Sequence, residues 1–130
     1  MINSIDHIVL TAQNIEQTIT FYCDVLGMKL EVFSPPDGSP ERRALKFGNQ
    51  KINLHNAKAP YFPHAKNPIS GAIDLCFLSD GPIQDWIKKF ELHGVPIEKG
   101  AVQKTGATGP LMSIYVRDPD GNLIEISNLV

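Results

Sequence analysis

The chain of 130 residues contains no apolar run near the roughly 18 residues that a bilayer-spanning helix needs. Its first residues, MINSID, lack the charged segment and the long apolar stretch of an export signal. Basic residues are not in excess, because 12 Lys and Arg stand against 14 Asp and Glu, and the formal net charge is −2. These absences argue against membrane and nucleic-acid partners and predict a cytoplasmic protein.

Cysteine is also scarce, and the two cysteines, Cys23 and Cys76, form no CxxC pair. Both lie inside periodic segments, so we expect buried, reduced thiols in a cytosolic protein. Hydrophobic residues make up 42% of the chain and charged residues 20%, which is the balance of an ordinary globular protein. The length predicts one compact domain over residues 1–130.

Hydrophobic periodicity predicts the same order of elements twice. The first set comprises a strand at 5–11, a helix at 14–26, a strand at 28–33 and a hairpin of 43–47 with 51–56. The second comprises a strand at 73–78, a helix between Pro82 and Gly94, and strands at 95–98, 111–117 and 122–127. Residues 118–121, DPDG, predict a turn. The glycine-bearing segment 100–110 predicts either a mobile lid or an ordinary exposed loop.

The two sets are in register with one another. An offset of 67 residues places Gly27 on Gly94 and Glu31 on Glu98. We therefore expect an α+β fold of two paired βαβββ modules, residues 1–57 and 72–130, joined by a connector at 58–71. Curling of the mixed sheet would form a cup.

Strand alternation places four polar side chains opposite the apolar faces of the predicted strands: His7, His55, Asp74 and Glu125. Two imidazoles and two carboxylates that converge in a cup would suit a divalent transition metal. The alternative is that all four are scattered over the exposed faces of their strands. The offset of 67 equates His7 with Asp74, and His55 and Glu125 each lie in the last strand of a module, which favours the metal hypothesis.

Three segments resemble the vicinal-oxygen-chelate superfamily, which includes glyoxalase I, extradiol dioxygenases and bleomycin resistance proteins: IDHIVL at 5–10, FYCDVLGM at 21–28 and RDPDGNLIE at 117–125. The stretches KINLH at 51–55 and TGATGP at 105–110 look most like a glyoxalase-domain-containing subgroup. The resemblance implies one divalent metal (zinc, nickel, cobalt, manganese or iron) at His7, His55, Asp74 and Glu125. It also implies a small-molecule substrate and a homodimer.

The resemblance implies chemistry on a substrate with two neighbouring oxygens. In a glyoxalase-like lyase or isomerase, the metal would stabilise an enediolate, Glu125 would move the substrate proton, and Tyr115 could donate its hydroxyl group. Thr11 stands where the bacterial glyoxalases carry an arginine that grips glutathione, which argues against a glutathione adduct as substrate. The alternatives are an extradiol ring-cleavage dioxygenase and a protein that sequesters a drug or metabolite.

Overall fold

The computed structural model describes residues 1–130 as two compact units, Met1–Gly71 (unit one) and Ala72–Val130 (unit two). Unit one contains β1 (His7–Ala12), α1 (Ile15–Ile19) running into a π-helical segment (Thr20–Val25), β2 (Lys29–Phe33), β3 (Arg42–Phe47) and β4 (Gln50–Asn56). Unit two contains β5 (Asp74–Leu78), α2 (Ile83–Leu92), β6 (Lys99–Thr105), β7 (Pro110–Arg117) and β8 (Leu123–Leu129). Neither helix is long and apolar enough to span a membrane.

Each unit folds into one four-stranded mixed sheet, in the order β1-β4-β3-β2 or β5-β8-β7-β6. In both sheets the first strand pairs parallel with the last, and the other pairs are antiparallel. The two units are therefore similar βαβββ modules, and the predicted α+β class is confirmed.

The apolar face of each sheet packs in the core with the helix of the same unit, as strand alternation predicts. The fully buried strand side chains on these faces are Leu10, Leu45, Ile52 and Leu54 in unit one, and Ile114, Val116 and Ile124 in unit two. On the same face of unit one, Arg43 forms an ion pair with Glu16 of α1. The opposite face, which we call the second face of each sheet, carries the predicted site residues.

The predicted turn at 118–121 is present and is held by the buried side chain of Asp118. Its carboxylate accepts hydrogen bonds from the amide nitrogens of Asp120 and Asn122, at 3.0 and 2.9 Å, and from Asn122 Nδ2 at 2.8 Å. Asn122 Oδ1 in turn accepts from the Ile73 amide at 3.1 Å, immediately before β5. The polar residues of the DPDGN segment therefore tie the turn before β8 to the start of β5.

One predicted strand is wrong. Residues 95–98 are not a strand, and β6 instead occupies Lys99–Thr105, most of the segment that was expected to be a lid. Pro96 lacks an amide hydrogen and cannot donate to a sheet ladder, which disfavours the earlier segment. Gly100 suits β6 because an added Cβ would lie 2.5 Å from the Ser113 carbonyl oxygen. Only residues 106–109 connect β6 to β7 outside the strands.

Candidate functional site

The second face of unit two brings Glu125, Tyr115 and Cys76 side by side. The register pairs Glu125 of β8 with Cys76 of β5 on one side and with Tyr115 of β7 on the other. These side chains line a cavity of about 540 Å³, together with Leu78, Lys104, Leu111 and the 105–108 segment. Glu125 and Tyr115, the two residues predicted as catalytic, therefore share one cavity.

Two buried serines support the Glu125 carboxylate from within the sheet. Ser127 Oγ donates a hydrogen bond to Glu125 Oε2 at 3.2 Å, and Ser113 Oγ lies 2.7 Å from Ser127 Oγ. Cys76 Sγ lies 3.2 Å from the same Ser127 hydroxyl. Both serines are fully buried, so this chain of polar groups replaces apolar packing beneath the cavity.

The surroundings of Tyr115 and Cys76 raise the pKa values of both side chains. Burial raises the pKa of Tyr115, and the charge of Glu125 and a side-chain hydrogen bond with it raise that pKa further. Partial desolvation of the sulfur is also the largest cause of a raised pKa of the Cys76 thiol. At neutral pH the Tyr115 hydroxyl therefore remains a hydrogen-bond donor, and Cys76 remains a thiol rather than a nucleophilic thiolate.

The cysteines are free but they are not buried as expected: Cys23 is half-buried and Cys76 is exposed. Cys76 lies on the second face of β5, which pairs only with β8 and is an edge strand of its sheet. Leu75 and Phe77 point to the other face, and Cys76 lines the cavity together with Leu78.

In unit one, four side chains gather on and beside the second face: Arg42, Asn53, His55 and Tyr61. His55 is 4% exposed, and Arg42 and Asn53 are half-buried. The Arg42 guanidinium carbon lies 4.1 Å from the centre of the Tyr61 ring, and the rings of His55 and Tyr61 are 5.3 Å apart. Burial lowers the pKa of His55, and the charges of Arg42 and His64 lower it further.

The structure separates the two predicted histidine ligands within unit one. His7 lies opposite Lys51, whereas His55 lies opposite Thr11, four positions further along the ladder. At the rise of a parallel strand, that separation is roughly 13 Å. His7 is partly exposed, and its Nδ1 lies 2.8 Å from Asp6 Oδ1. Both histidines share the second face, as alternation predicts, but they are not neighbours on it.

In unit two, Asp74 and Glu125 lie close in register, since Asp74 pairs with Leu123, two residues before Glu125. Counting two residues beyond the partner of His7 in unit one leads to Asn53. Asn53 is therefore the counterpart of Glu125, and His55 is the counterpart of Ser127. Equating His55 with Glu125 because both lie in a last strand misses this difference of two residues.

Neither unit by itself contains more than two of the four predicted metal donors. Across residues 1–130, no group of three or more His, Cys, Asp or Glu side chains could hold a metal ion. The metal at His7, His55, Asp74 and Glu125 remains a prediction of the sequence, and no chemical step below depends on it.

Arg117 lies on the same face of β7 as Tyr115 and forms an ion pair with Glu98 at the surface. Its Nε and Nη2 donate to the Glu98 carboxylate at 3.0 and 2.9 Å, and its Nη1 donates to the Gly121 carbonyl oxygen at 3.1 Å. Sequence reasoning did not single out Ser113 or Ser127. Strand alternation could have identified them, because Ser113 lies on the same face of its strand as Tyr115, and Ser127 on the same face as Glu125.

Comparison with known proteins agrees with this fold and these motifs. The sequence profile of the Glyoxalase/Bleomycin resistance protein/Dioxygenase superfamily matches residues 4–126, and the chain belongs to this superfamily. The resemblance inferred from the sequence is therefore confirmed.

Two curated proteins resemble almost the whole chain. Virulence protein STM3117 from Salmonella typhimurium is 48% identical over 130 residues, which cover 100% of this chain and 87% of that protein. The crystal structure of that protein matches this fold with a TM-score of 0.93, and the match covers 100% of this chain and 99% of that chain. Glyoxalase domain-containing protein RDO1 from Mycosarcoma maydis is 45% identical over 127 residues, which cover 98% of this chain and 69% of that protein.

A more distant solved structure carries an enzyme name. Lactoylglutathione lyase from Agrobacterium tumefaciens is 27% identical, with a TM-score of 0.69. The match covers 96% of this chain and 92% of that chain. The superfamily thus contains a lyase with this fold at recognisable sequence identity.

Proposed function

We propose that the chain is an enzyme, a lyase or isomerase of glyoxalase type, that moves a proton on a small substrate with vicinal oxygens. The observation that carries this proposal is the pairing of Glu125 with Tyr115 in the cavity of unit two. The similarity to a lactoylglutathione lyase supports the reaction class.

Glu125 is suited to act as the base that takes and returns the substrate proton. Its carboxylate lines the cavity, and Ser127 donates a hydrogen bond to its Oε2 atom. Such a bond fixes the orientation of the carboxylate towards the cavity. Proton transfer by a positioned side chain commonly contributes about 10² to 10⁴ in rate.

Tyr115 is suited to bind a substrate oxygen as charge develops on it. Its raised pKa keeps the hydroxyl protonated, so on exchanging its bond to Glu125 it can donate a hydrogen bond to an enolate or carbonyl oxygen. The remaining lining is largely apolar, with Leu78 and Leu111 beside a single cation, Lys104. A cavity of about 540 Å³ is in the range of small-molecule sites.

Substitution of Glu125 tests the proposal. The substrates to screen are the hemithioacetals of methylglyoxal with small thiols, and catechols with and without oxygen. We expect isomerisation of a hemithioacetal by the native protein and a loss of kcat of at least about 100-fold in Glu125→Gln. The dissociation constant of the product should change by less than about threefold, because glutamine keeps the shape of the side chain. Glu91→Gln, an exposed carboxylate on α2, is the matched control.

Three outcomes would reject the proposal. Full activity of Glu125→Gln would show that Glu125 is not the catalytic base. Oxygen-dependent cleavage of catechols alone would indicate a dioxygenase. Tight binding of these compounds without turnover would indicate a sequestering protein.

The predicted metal and the predicted homodimer have separate tests. Elemental analysis should find one equivalent of divalent metal in the native protein and in His93→Ala, and none in His7→Ala. Sedimentation at micromolar concentration should give a dimer, and a monomer would contradict that prediction.

A further inference from the structure

Unit one holds an unusual concentration of buried polar atoms without partners. Three buried side-chain atoms on adjacent strands of one sheet have no hydrogen-bond partner: Arg42 Nε, Asn53 Oδ1 and His55 Nδ1. Buried polar groups in native proteins are almost always paired, so a cluster of three needs a physical explanation.

The three side chains share one place on the second face of unit one. The register pairs Ala44 of β3 with Asn53 of β4. Arg42 lies two residues before Ala44 and His55 two residues after Asn53, so both lie beyond this pair on the same face. The Tyr61 ring covers the guanidinium of Arg42 at 4.1 Å and meets the His55 ring edge-on. The Tyr61 hydroxyl donates to the Glu41 carbonyl oxygen at 3.1 Å, so this aromatic wall is fixed.

The charge of the second face indicates what these atoms could hold. Strand alternation places Lys29, Lys46 and Lys51 on the same face as Arg42, and Glu31 is the one carboxylate among the strand residues of that face. Arg42 is a permanent cation, and both its guanidinium and the His55 ring contact the Tyr61 ring. Its positive charge would attract an anion to this place.

We propose that unit one binds an oxyanion, a carboxylate or a phosphate group, at Arg42, Asn53 and His55. Arg42 Nε and His55 Nδ1, each carrying a hydrogen, donate to the oxygens of the anion. The Asn53 amide presents either its oxygen to a hydroxyl of the ligand or, after rotation, its Nδ2 to the anion. Tyr61 keeps the guanidinium plane in position, which favours the directional bonds that arginine makes to oxyanions. The residues of this site all belong to unit one, and their assignment as a site does not rest on the proposed reaction.

The experiment is an amide NMR titration of the native protein with sodium acetate and, separately, sodium phosphate. Sodium chloride keeps the ionic strength constant. We expect at least one probe to give saturable shifts at residues 42, 53 and 55. Arg42→Gln should weaken that binding by about 10-fold, the loss expected for a charge-assisted hydrogen bond. The acetate and phosphate arms separate a carboxylate site from a phosphate site.

Arg43→Gln is the matched control, because it removes the same charge one residue away on the opposite face. It should change binding by less than about twofold, since general charge attraction is screened by salt. Asn53→Leu tests the site without any change of charge and should also weaken binding. It keeps the proposal testable if Arg42→Gln does not fold.

Three results would overturn the proposal. One is the absence of saturable shifts for both probes. Another is equal weakening by Arg42→Gln and Arg43→Gln, which would mean unspecific attraction. The third is shifts confined to the lysines of β2 and β3. In each case the proposed reaction at Glu125 would be unaffected.

Discussion

Unit one and unit two share strand order, parallel and antiparallel pairings and helix placement, yet their second faces differ in chemistry. In unit two the polar groups form a connected chain from Ser113 through Ser127 to Glu125. In unit one the corresponding face holds Asn53 and His55 with buried atoms that have no partner. The scaffold depends on the apolar face, which is alike in the two units, and so the second face was free to diverge.

The equivalent positions show how small the difference is. His7 pairs with Lys51, and its counterpart Asp74 pairs with Leu123. Counted from these two partners, Asn53 corresponds to Glu125 and His55 corresponds to Ser127. One unit therefore has a neutral amide where the other has a carboxylate that can accept a proton. The comparison predicts that substitutions on the two faces have effects of opposite sign.

The largest expected effect comes from breaking the β6–β7 pairing of unit two. Gly100 has φ +118°, and a Cβ there would lie 2.5 Å from the Ser113 carbonyl oxygen and 2.9 Å from Ile114 Cα. Gly100→Ala should lower the free energy of unfolding by about 3 kcal/mol, measured by urea denaturation. Gly94→Ala, at φ +68° with nothing within 4 Å, should cost about 1 kcal/mol. Equal losses would show that the close contact is relieved by movement of β7.

A smaller loss should follow from interrupting the polar chain of unit two. Ser127→Ala removes the donor to Glu125 and leaves Ser113 Oγ buried without that partner. We expect a loss of about 1–3 kcal/mol in the free energy of unfolding, measured by chemical denaturation. Ser34→Ala, which is exposed between β2 and β3, should change it by less than about 0.5 kcal/mol. A neutral Ser127→Ala would mean that the chain contributes nothing to stability.

The equivalent face of unit one should respond in the opposite direction. Asn53→Leu removes a buried acceptor that has no partner and supplies apolar surface beside Ala44. Without added anion, it should raise the free energy of unfolding by about 1 kcal/mol. A loss of similar size would show that Asn53 is structurally satisfied, and the contrast between the units would then disappear. Thermal unfolding at one pH and salt concentration is sufficient for the measurement.

The smallest expected effect is the contribution of His55 to the pH dependence of stability. Burial holds its folded-state pKa below the value of the unfolded chain. The folded protein therefore binds fewer protons, and stability falls as pH drops below the unfolded value of about 6.5 towards the folded pKa. His55→Gln should unfold with a shallower dependence between about pH 7.5 and 5.5. If the free energy of unfolding of the two proteins changes equally with pH in this range, the His55 imidazole does not cause the loss of stability at low pH.

Much of the fold follows from local pattern. Alternation predicted which face of each strand is buried, and the Asn14 side chain caps α1 by accepting from the Gln17 amide at 3.0 Å. Gly27 and Gly94 end their helices with φ +81° and +68°. These features depend on one residue and its near neighbours in the sequence. They can therefore be predicted without knowing which strands pair with one another.

The site is less predictable, because it depends on which residues of different strands lie opposite one another. Alternation places His7 and His55 on one face but does not reveal that four positions separate them. It also does not reveal that Asn53 rather than His55 corresponds to Glu125. The position of β6 was missed because the tight fit of Gly100 against Ser113 and Ile114 is a tertiary contact that composition does not encode.

The parallel pairing of first and last strand has a consequence for the order of folding. His7 pairs with Lys51 and Asp74 with Leu123, which are 44 and 49 residues apart in the chain, whereas the β2–β3–β4 and β6–β7–β8 ladders join sequence neighbours. Distant pairings carry the larger loop-closure cost and slow folding. We therefore expect each unit to be completed when its first strand, β1 or β5, pairs with β4 or β8. In unit two, the wall that Cys76 and Leu78 of β5 contribute to the cavity is then absent from every partly folded state that precedes this step.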